Sequence, residues 1–312
     1  IANLQSTDGS LNSELKMRTP SDNIPVYEAG VDAKSYNLGR LLAQSSMGEV
    51  SLTASMSGRG FDEKNMDATF KGNIRKAELN KYPYKNLSLS GKIKKREIIA
   101  KAEIKEENIE FKYDGNINLD KEHPKYKLTL NVKGANLKAL NLTTEDIRVK
   151  GSLFSDLTGK DINEINGTAG IKEVLIIKNG KKYPIDSLLF ASLTGKGKTN
   201  IKITSTLLDA NFNGNIKLGD LTKVLKQHVN GYFNLHDTSI SKSLEPQSFE
   251  FKIDLKDPAI LTQVLVPKMR EFIPGEISGN YDSKSKQINL NLKIPRMVYS
   301  GLKVTNLQMI IA

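Results

Sequence analysis

The chain has 312 residues, 38% of them apolar, and a net charge of +11 from 46 Lys and Arg against 35 Asp and Glu. It contains no cysteine, which excludes disulfides and thiolate metal sites. No window approaches the run of about eighteen apolar residues that a transmembrane helix needs, and the first residues lack the features of a signal peptide. We therefore expect a piece of a longer protein, with any membrane anchor outside this sequence.

The positive charge is spread along the chain instead of being clustered. Between Gly91 and Lys105, for example, Lys, Arg and Glu are interleaved with Ile and Ala. Proteins that bind single-stranded nucleic acid place aromatic side chains among their basic residues, whereas the aromatics here are only 6% of the chain and fall in register with aliphatic residues. The pattern indicates the solvated face of β-strands, and we expect no nucleic-acid partner.

Apolar and polar residues alternate with a period of two through most of the chain, which predicts β-strands with one apolar face and one wet face. The residues predicted to line the apolar face are Val50, Leu52, Ala54, Met56, Phe70, Ile109, Phe111, Tyr113, Leu128, Leu130, Val132, Ile201, Ile203, Phe212, Ile216, Phe249, Phe251, Ile253, Ile288, Leu290 and Leu292.

Turn and helix signals divide these strands. Polar turns join neighbouring strands at hairpin distance, which makes the strands antiparallel; they lie at residues 106–108, 178–181 and 282–286. Helical patterns are few and short, at residues 36–42, 135–140, 219–226 and 257–265. The sequence therefore predicts an all-β fold, an antiparallel sheet with short helical plugs between its blocks.

An internal repeat runs through the chain. Lys81-Tyr82-Pro83 recurs at Lys182-Tyr183-Pro184, an offset of 182 − 81 = 101 positions, and Asn37-Leu38 recurs at Asn136-Leu137, an offset of 136 − 37 = 99. Repetition of this kind predicts an elongated stack of similar units, each burying its apolar face beside its neighbours. The predicted division is partial preceding strands at 1–35, a first repeat at 36–135, a second at 136–235 and a partial third at 236–312.

Catalytic and metal-binding patterns are weak. "SLTGKGKTN", from Ser192 to Asn200, resembles the end of a phosphate-binding loop but lacks the first glycine and runs into a strand instead of a helix; a basic hairpin turn explains it better. The histidines His123, His228 and His236 stand at unrelated spacings, and acidic residues occur singly. We expect no enzyme activity, no cofactor and no metal.

The repeating stretches together resemble the TamB (translocation and assembly module) proteins of the AsmA-like superfamily, in particular the forms found in Bacteroidetes. The resemblance lies in the order of "KYPYKNLSLSGKI", "YDGNINL", "LTLNVKGANLKALNL", "VNGYFNLHD" and the run from "LKDPAILTQVLVPKMREFIPGEISGNYDSKSKQINLNLKIPRMVYSGLKV". It covers most of the chain, although no single motif is diagnostic. One departure is Glu106-Glu107-Asn108, where related sequences often have an Asp-Pro-Asn type of turn.

The resemblance implies a long, curled antiparallel sheet, taco-shaped in section, whose apolar inner face forms a groove. Such proteins are tethered to the inner membrane, cross the periplasm and meet an Omp85-type barrel in the outer membrane. They are implicated in phospholipid passage between the two membranes and in assembly of outer-membrane proteins. On this interpretation the partners are phospholipid acyl chains held by the lining residues named above, with the barrel and the inner membrane reached through parts outside this fragment.

Two other functions fit the same alternation. The apolar faces can form a dry packed core in a non-enzymatic scaffold, or exposed sheet edges can pair with client β-strands as in a chaperone. Whether the apolar face is open to a ligand or closed as a core separates the lipid groove from the scaffold.

Overall fold

The computed structural model describes residues 2–6, 9–220, 223–224, 245–265, 268–273, 275–285 and 287–311. The fold is all-β, and the strands follow one another in antiparallel order, as the sequence predicts. The strands are β1 (Ala2–Ser6), β2 (Gly9–Arg18), β3 (Val26–Asn37), β4 (Met47–Arg59), β5 (Asp67–Leu79), β6 (Tyr82–Lys94), β7 (Glu97–Lys105), β8 (Ile109–Asn118), β9 (Lys125–Asn136), β10 (Ile147–Thr158), β11 (Asn166–Lys178), β12 (Lys181–Gly195), β13 (Lys198–Ser205), β14 (Leu208–Asn215), β15 (Ser248–Leu255), β16 (Met269–Ile273), β17 (Glu276–Asp282), β18 (Gln287–Tyr299) and β19 (Leu302–Ile311).

Helical segments are short, as predicted. They are α1 (Leu38–Leu41), two 3₁₀ turns (Ile162–Glu164 and Leu218–Asp220), and a helical turn (Pro258–Ile260) that continues as one turn of π-helix (Leu261–Leu265). These segments confirm the predicted helices at 36–42 and 257–265. At 135–140, β9 continues to Asn136 and the chain then makes a single turn, in which the Leu140 N–H donates to the Asn136 carbonyl at 3.0 Å, so the segment is shorter than a regular helix. Of 219–226, half of the residues are described: Gly219 and Asp220 end the second 3₁₀ turn and Lys223 and Val224 are helical, while 221–222 and 225–226 lie outside the described residues.

The chain divides into two compact units, the first made of 1–155 with 173–184 and the second of 156–172 with 185–312. The predicted repeat boundaries at residues 36, 136 and 236 remain a prediction, because compactness and sequence repetition divide a chain by different criteria. In the first unit β1 pairs with β2, and β2 to β9 pair successively, always antiparallel.

The sheet of the first unit is curled. The Asn141 side chain, in the turn after β9, donates to the Asn80 carbonyl in the β5–β6 turn at 3.1 Å. Four strand spacings separate these turns, or roughly 19 Å in a flat sheet. At the other end of the strands, Arg96 is ion-paired with both Glu63 (2.7 Å) and Asp120 (3.7 Å), which ties three successive turns together.

The second unit continues the hairpin pattern with one irregularity. β12 to β15 pair successively, β15 then pairs with β17, and β17 pairs with the first half of β18. The short strand β16 pairs with the second half of β18, and β19 runs along almost the whole of β18. The β12–β13 hairpin turns at Lys196 and Gly197, both with positive φ, which confirms that "GKGK" is a hairpin turn.

Candidate functional site

The strand register of the first unit places apolar side chains on one face of β2 to β9. Residues that are directly opposite on neighbouring antiparallel strands point to the same face, so the pairing can be followed across all eight strands as four rows. The first outer row is Leu11, Ala33, Leu52, Ile74, Leu87, Ile104, Phe111 and Val132; the inner rows are Ser13, Val31, Ala54, Gly72, Leu89, Ala102, Tyr113 and Leu130, and Leu15, Ala29, Met56, Phe70, Gly91, Ala100, Gly115 and Leu128; the second outer row is Met17, Tyr27, Gly58, Ala68, Ile93, Ile98, Ile117 and Tyr126.

The opposite face of the same strands is polar. It carries cross-strand ion pairs, among them Lys112 with Glu103 at 3.1 Å and Lys101 with Asp114 at 2.9 Å. All four side chains are largely exposed to solvent. The sheet of the first unit is therefore two-sided, with one wet face and one apolar face, as the alternation predicts.

Burial differs between the rows of the apolar face. In the outer rows, Ile104 and Ala68 are each only 1% exposed and Tyr27 is 4% exposed. In the inner rows, Ala54 is exposed and Leu89 is 37% exposed. At these positions the apolar face is covered toward the ends of its strands and open in the middle; most other side chains of the four rows are half-buried, and Met17, at the β2 end of an outer row, is 59% exposed. We call the two inner rows the trough floor.

Residues from the connections cover the outer rows. Leu38 of α1 packs against a buried cluster of Ala33, Tyr36 and Val50. At the other strand ends, the ring of Phe61 from the β4–β5 connection stacks on the ring of Tyr27, with centroids 4.6 Å apart and planes within 12° of parallel. These contacts shield Ala33, Val50 and Tyr27 from water, whereas Ala54 and Leu89 on the trough floor stay exposed.

An open apolar cavity of about 220 Å³ lies on the trough floor. Its lining residues are Ala29, Gly30, Val31, Ala54, Ser55, Met56, Phe70, Lys71, Gly72 and Leu89. It crosses β3 to β6, three strand spacings or roughly 14 Å. Small residues leave space above the trough floor. Gly91 is the cross-strand partner of Phe70, and the Phe70 ring lies over it, so that a Cβ at Gly91 would collide with the ring. An aromatic ring laid over a cross-strand glycine in this way also supports the sheet where the glycine has no side chain.

The second unit also has an apolar face, but part of it is a packed core. Its rows across β12 to β18 are Phe190, Ile203, Ala210, Ile253, Ile277 and Leu292; Ser192, Ile201, Phe212, Phe251, Gly279 and Leu290; and Thr194, Thr199, Gly214, Phe249, Tyr281 and Ile288. Ile201, Phe249 and Tyr281 form a buried cluster with Ile216 and Val224.

The structure brings the predicted lining residues together in two groups. Those of the first unit on the trough floor are Ala54, Met56, Phe70, Tyr113, Leu128 and Leu130; those on the first outer row are Leu52, Phe111 and Val132. Val50 and Ile109 lie beyond that row, Val50 buried under α1 and Ile109 opposite Ala135. The group in the second unit is Ile201, Ile203, Phe212, Phe249, Phe251, Ile253, Ile288, Leu290 and Leu292, with Ile216 just after β14 in the buried cluster.

Several trough residues were missed from the sequence. Ala29 and Val31 fall in the segment assigned only to preceding strands, although "YEAGVDA" alternates and could have revealed them. Gly72, Leu89 and Ala102 join the floor through their cross-strand partners. Glycine and alanine add little to an apolar pattern, so the register is needed to find them.

Within the described ranges, no group of His, Asp and Glu side chains is arranged to hold a metal ion. The His123 backbone N–H donates to Asp120 in an exposed turn, and His228 and His236 lie outside the described residues.

Among the described residues, no helix combines the length and the apolar composition needed to cross a membrane.

Comparison with known proteins adds no relative. No protein-family model, curated protein or solved structure matches the chain. The function is therefore argued from the residues and their geometry.

Proposed function

We propose that the chain is a segment of a TamB-like protein and that the trough of its first unit holds phospholipid acyl chains. The observation that carries the proposal is the combination of an apolar face running across β2 to β9 with a middle left open to a 220 Å³ apolar cavity. Soluble proteins seldom leave large contiguous apolar surfaces to water unless a partner or a ligand covers them.

The dimensions of the trough suit a lipid tail. Eight strands give seven spacings, or roughly 34 Å measured along the curved surface of the sheet from strand to strand. One leaflet of a bilayer has a hydrocarbon thickness of about 15 Å, half of the roughly 30 Å core, so the trough is long enough for about two tails end to end. Each buried methylene stabilises the bound lipid by about 0.8 kcal/mol.

The trough floor suits the movement of a lipid along it as well as the retention of that lipid. Apolar contacts are non-directional and roughly proportional to area, and apart from Phe70 the trough floor presents small and aliphatic side chains on β4 to β7. Adjacent positions along it are therefore close in energy for an alkyl chain. A lipid can be kept out of water while it shifts from one set of strands to the next.

The setting that we propose follows the sequence resemblance. It is the periplasm, with a tether to the inner membrane and an Omp85-type barrel in the outer membrane as the partner, both reached through other parts of the protein. The role is phospholipid passage between the membranes and support of outer-membrane protein assembly.

One observation favours a second, structural role for part of the chain. In the second unit, Ile201, Phe249 and Tyr281 are buried against Ile216 and Val224, which is the arrangement of a packed core. We propose that this part of the second unit acts as a scaffold that stabilises the sheet, while the open trough of the first unit binds lipid.

Transfer of a fluorescent phospholipid between vesicles tests the proposal. Leu130 lies half-buried on the trough floor, and Thr129 beside it is exposed on the opposite face. Leu130→Arg should lower the transfer rate at least tenfold, since a charge on the floor must be desolvated by the tail, whereas Thr129→Arg should leave the rate unchanged. Equal transfer by both variants, or unfolding of Leu130→Arg alone, would rule out an open lipid trough.

A further inference from the structure

One hydroxyl group stands out among the apolar side chains of the trough floor. It belongs to Tyr113 on β8, a member of an inner row. From β3 to β9, the other residues of the two inner rows are glycine, aliphatic residues, Met56 and Phe70. The other hydroxyl of the floor is that of Ser13 on β2, six strand spacings or roughly 29 Å away along the sheet. Tyr113 therefore carries the one side-chain hydrogen-bond donor of the floor between β3 and β9.

The Tyr113 ring lies over Gly115. Gly115 is two residues further along β8, so both residues face the trough. A Cβ at Gly115 would collide with the Tyr113 hydroxyl and with the ring carbon that bears it, and Gly115 is buried although it has no side chain. The glycine thus leaves the space that the ring occupies, and the hydroxyl is held close to the trough floor.

The Tyr113 hydroxyl is available to a ligand. Within the described residues it neither donates nor accepts a hydrogen bond, and the side chain is only half-buried. The hydroxyl of Tyr82, by comparison, donates to Glu106 at 2.8 Å and accepts from Asn108 at 3.2 Å. A ligand that covers Tyr113 displaces water from its hydroxyl, and leaving that hydroxyl unpaired costs free energy. A ligand that brings its own acceptor to this position avoids the cost.

The surroundings of the hydroxyl favour an uncharged acceptor. Its neighbours across the strands are Ala100 and Ala102 on β7 and Leu128 and Leu130 on β9. No Lys, Arg or His belongs to either inner row, so a phosphate placed on the floor would lose its water without gaining a counter-charge. The carbonyl of a fatty-acid ester is uncharged, accepts hydrogen bonds and is joined directly to an alkyl chain.

The distance from Tyr113 to the apolar cavity suits one lipid tail. Phe70, in the cavity lining, is on β5, three strand spacings or roughly 14 Å from β8. The hydrocarbon thickness of one leaflet is about 15 Å. A tail whose ester lies at Tyr113 therefore reaches the cavity with its other end.

We propose that Tyr113 donates a hydrogen bond to an ester carbonyl of the phospholipid in the trough and so gives that lipid a preferred position, with a tail directed toward the cavity. This inference rests on the proposed lipid function and adds the class of lipid to it. The trough prefers lipids with fatty-acid esters to lipids with ether linkages, which have no carbonyl. The preference is that of a single neutral hydrogen bond, small enough for the lipid to move on along the floor.

The affinities for matched ester and ether lipids test the proposal. A short-chain phosphatidylcholine, in its diester form and in its diether form, is used to displace a fluorescent phospholipid analogue from the full 312-residue chain. The wild type should bind the diester roughly fivefold more tightly, as expected for one hydrogen bond of ordinary strength. Tyr113→Phe should lose this factor for the diester and bind the diether as the wild type does. Tyr126→Phe is the matched control, because Tyr126 lies on the second outer row of the neighbouring strand β9, and it should behave as the wild type with both lipids.

Photolabelling tests the position of the lipid without a substitution. A phosphatidylcholine that carries a diazirine beside an ester carbonyl should label β8 and β9, and one that carries it at the end of a tail should label the strands that line the cavity, β3 to β6. Even labelling of all these strands by both probes would contradict a preferred position.

Failure of this inference and failure of the proposed function give different results. Equal wild-type affinities for the diester and the diether would overturn the role of Tyr113 and leave the lipid trough standing. The same holds for an equal loss of both affinities in Tyr113→Phe, or for a loss of the ester preference in Tyr126→Phe. Displacement of the fluorescent analogue by neither lipid would overturn the proposed function and this inference together.

Discussion

Replacing Ala54 by glutamate tests the trough at its most accessible point. Ala54 is exposed on the trough floor and lines the 220 Å³ cavity beside Gly72. The cavity spans roughly 14 Å across four strands, close to the 15 Å or so of one leaflet, so a bound tail must pass over this position. If the carboxylate displaces about four methylenes at about 0.8 kcal/mol each, the loss is about 3 kcal/mol, or roughly a hundredfold in affinity.

The stability of Ala54→Glu should change little, by less than about 1 kcal/mol, because Ala54 is exposed and the carboxylate can remain in water. Affinity is read by titrating the protein into a fluorescent phospholipid analogue, and stability by urea denaturation of the same samples. Thr53→Glu is the matched control, since Thr53 directly precedes Ala54 on β4, is exposed, and faces the opposite side of the sheet. Unchanged lipid affinity in Ala54→Glu, or an equal loss in Thr53→Glu, would refute the reasoning.

Three other changes probe the rest of the structure. Ile201→Ala should cost about 2–5 kcal/mol in urea denaturation, because Ile201 is fully buried in the second unit; a cost near zero would contradict a packed core there. Arg96→Gln should change the free energy of unfolding by no more than about 1 kcal/mol, because partly exposed ion pairs such as that with Glu63 are weak. It should nevertheless speed amide hydrogen exchange in the turns that Arg96 joins. Unchanged exchange would contradict the inference that Arg96 holds these turns together. Hydrogen bonds from backbone N–H groups, first that of His123, lower the pKa of Asp120 in the folded protein. The ionised Asp120 carboxylate therefore stabilises the fold above its ordinary pKa of about 3.9, and this stabilisation is lost as the pH falls through the lower pKa of the folded state. A titration of the carboxyl groups followed by NMR should show the lowered pKa of Asp120, and an ordinary value would contradict the prediction.

Alternation in the sequence was sufficient to predict the sheet and its two faces. Leu52, Ala54 and Met56 alternate with polar residues on β4, and the structure places all three on the apolar face. This inference succeeds because side chains of a strand point to opposite faces in turn, whatever the rest of the fold does. The hairpin at 106–108 was predictable for a similar reason, since its polar residues separate two alternating runs.

The openness of the face could not be predicted from the same pattern. Val50 and Ala54 lie on one strand and one face, but Val50 is buried and Ala54 is exposed. Val50 lies in a cluster with Ala33 and Tyr36 against which Leu38 packs, and Leu38 is placed there because α1 begins directly after the bulged end of β3. Periodicity carries no information about such tertiary cover, nor about which residues meet across strands, so the trough floor was found only with the register.

Native mass spectrometry of the purified chain after incubation with phospholipid vesicles tests the open trough most directly. The wild-type protein should retain one or two phospholipids, in keeping with a trough about two tails long, and Ala54→Glu should lose them while Thr53→Glu keeps them. A wild-type spectrum that shows only the bare protein, under conditions where the fold is intact, would contradict the account.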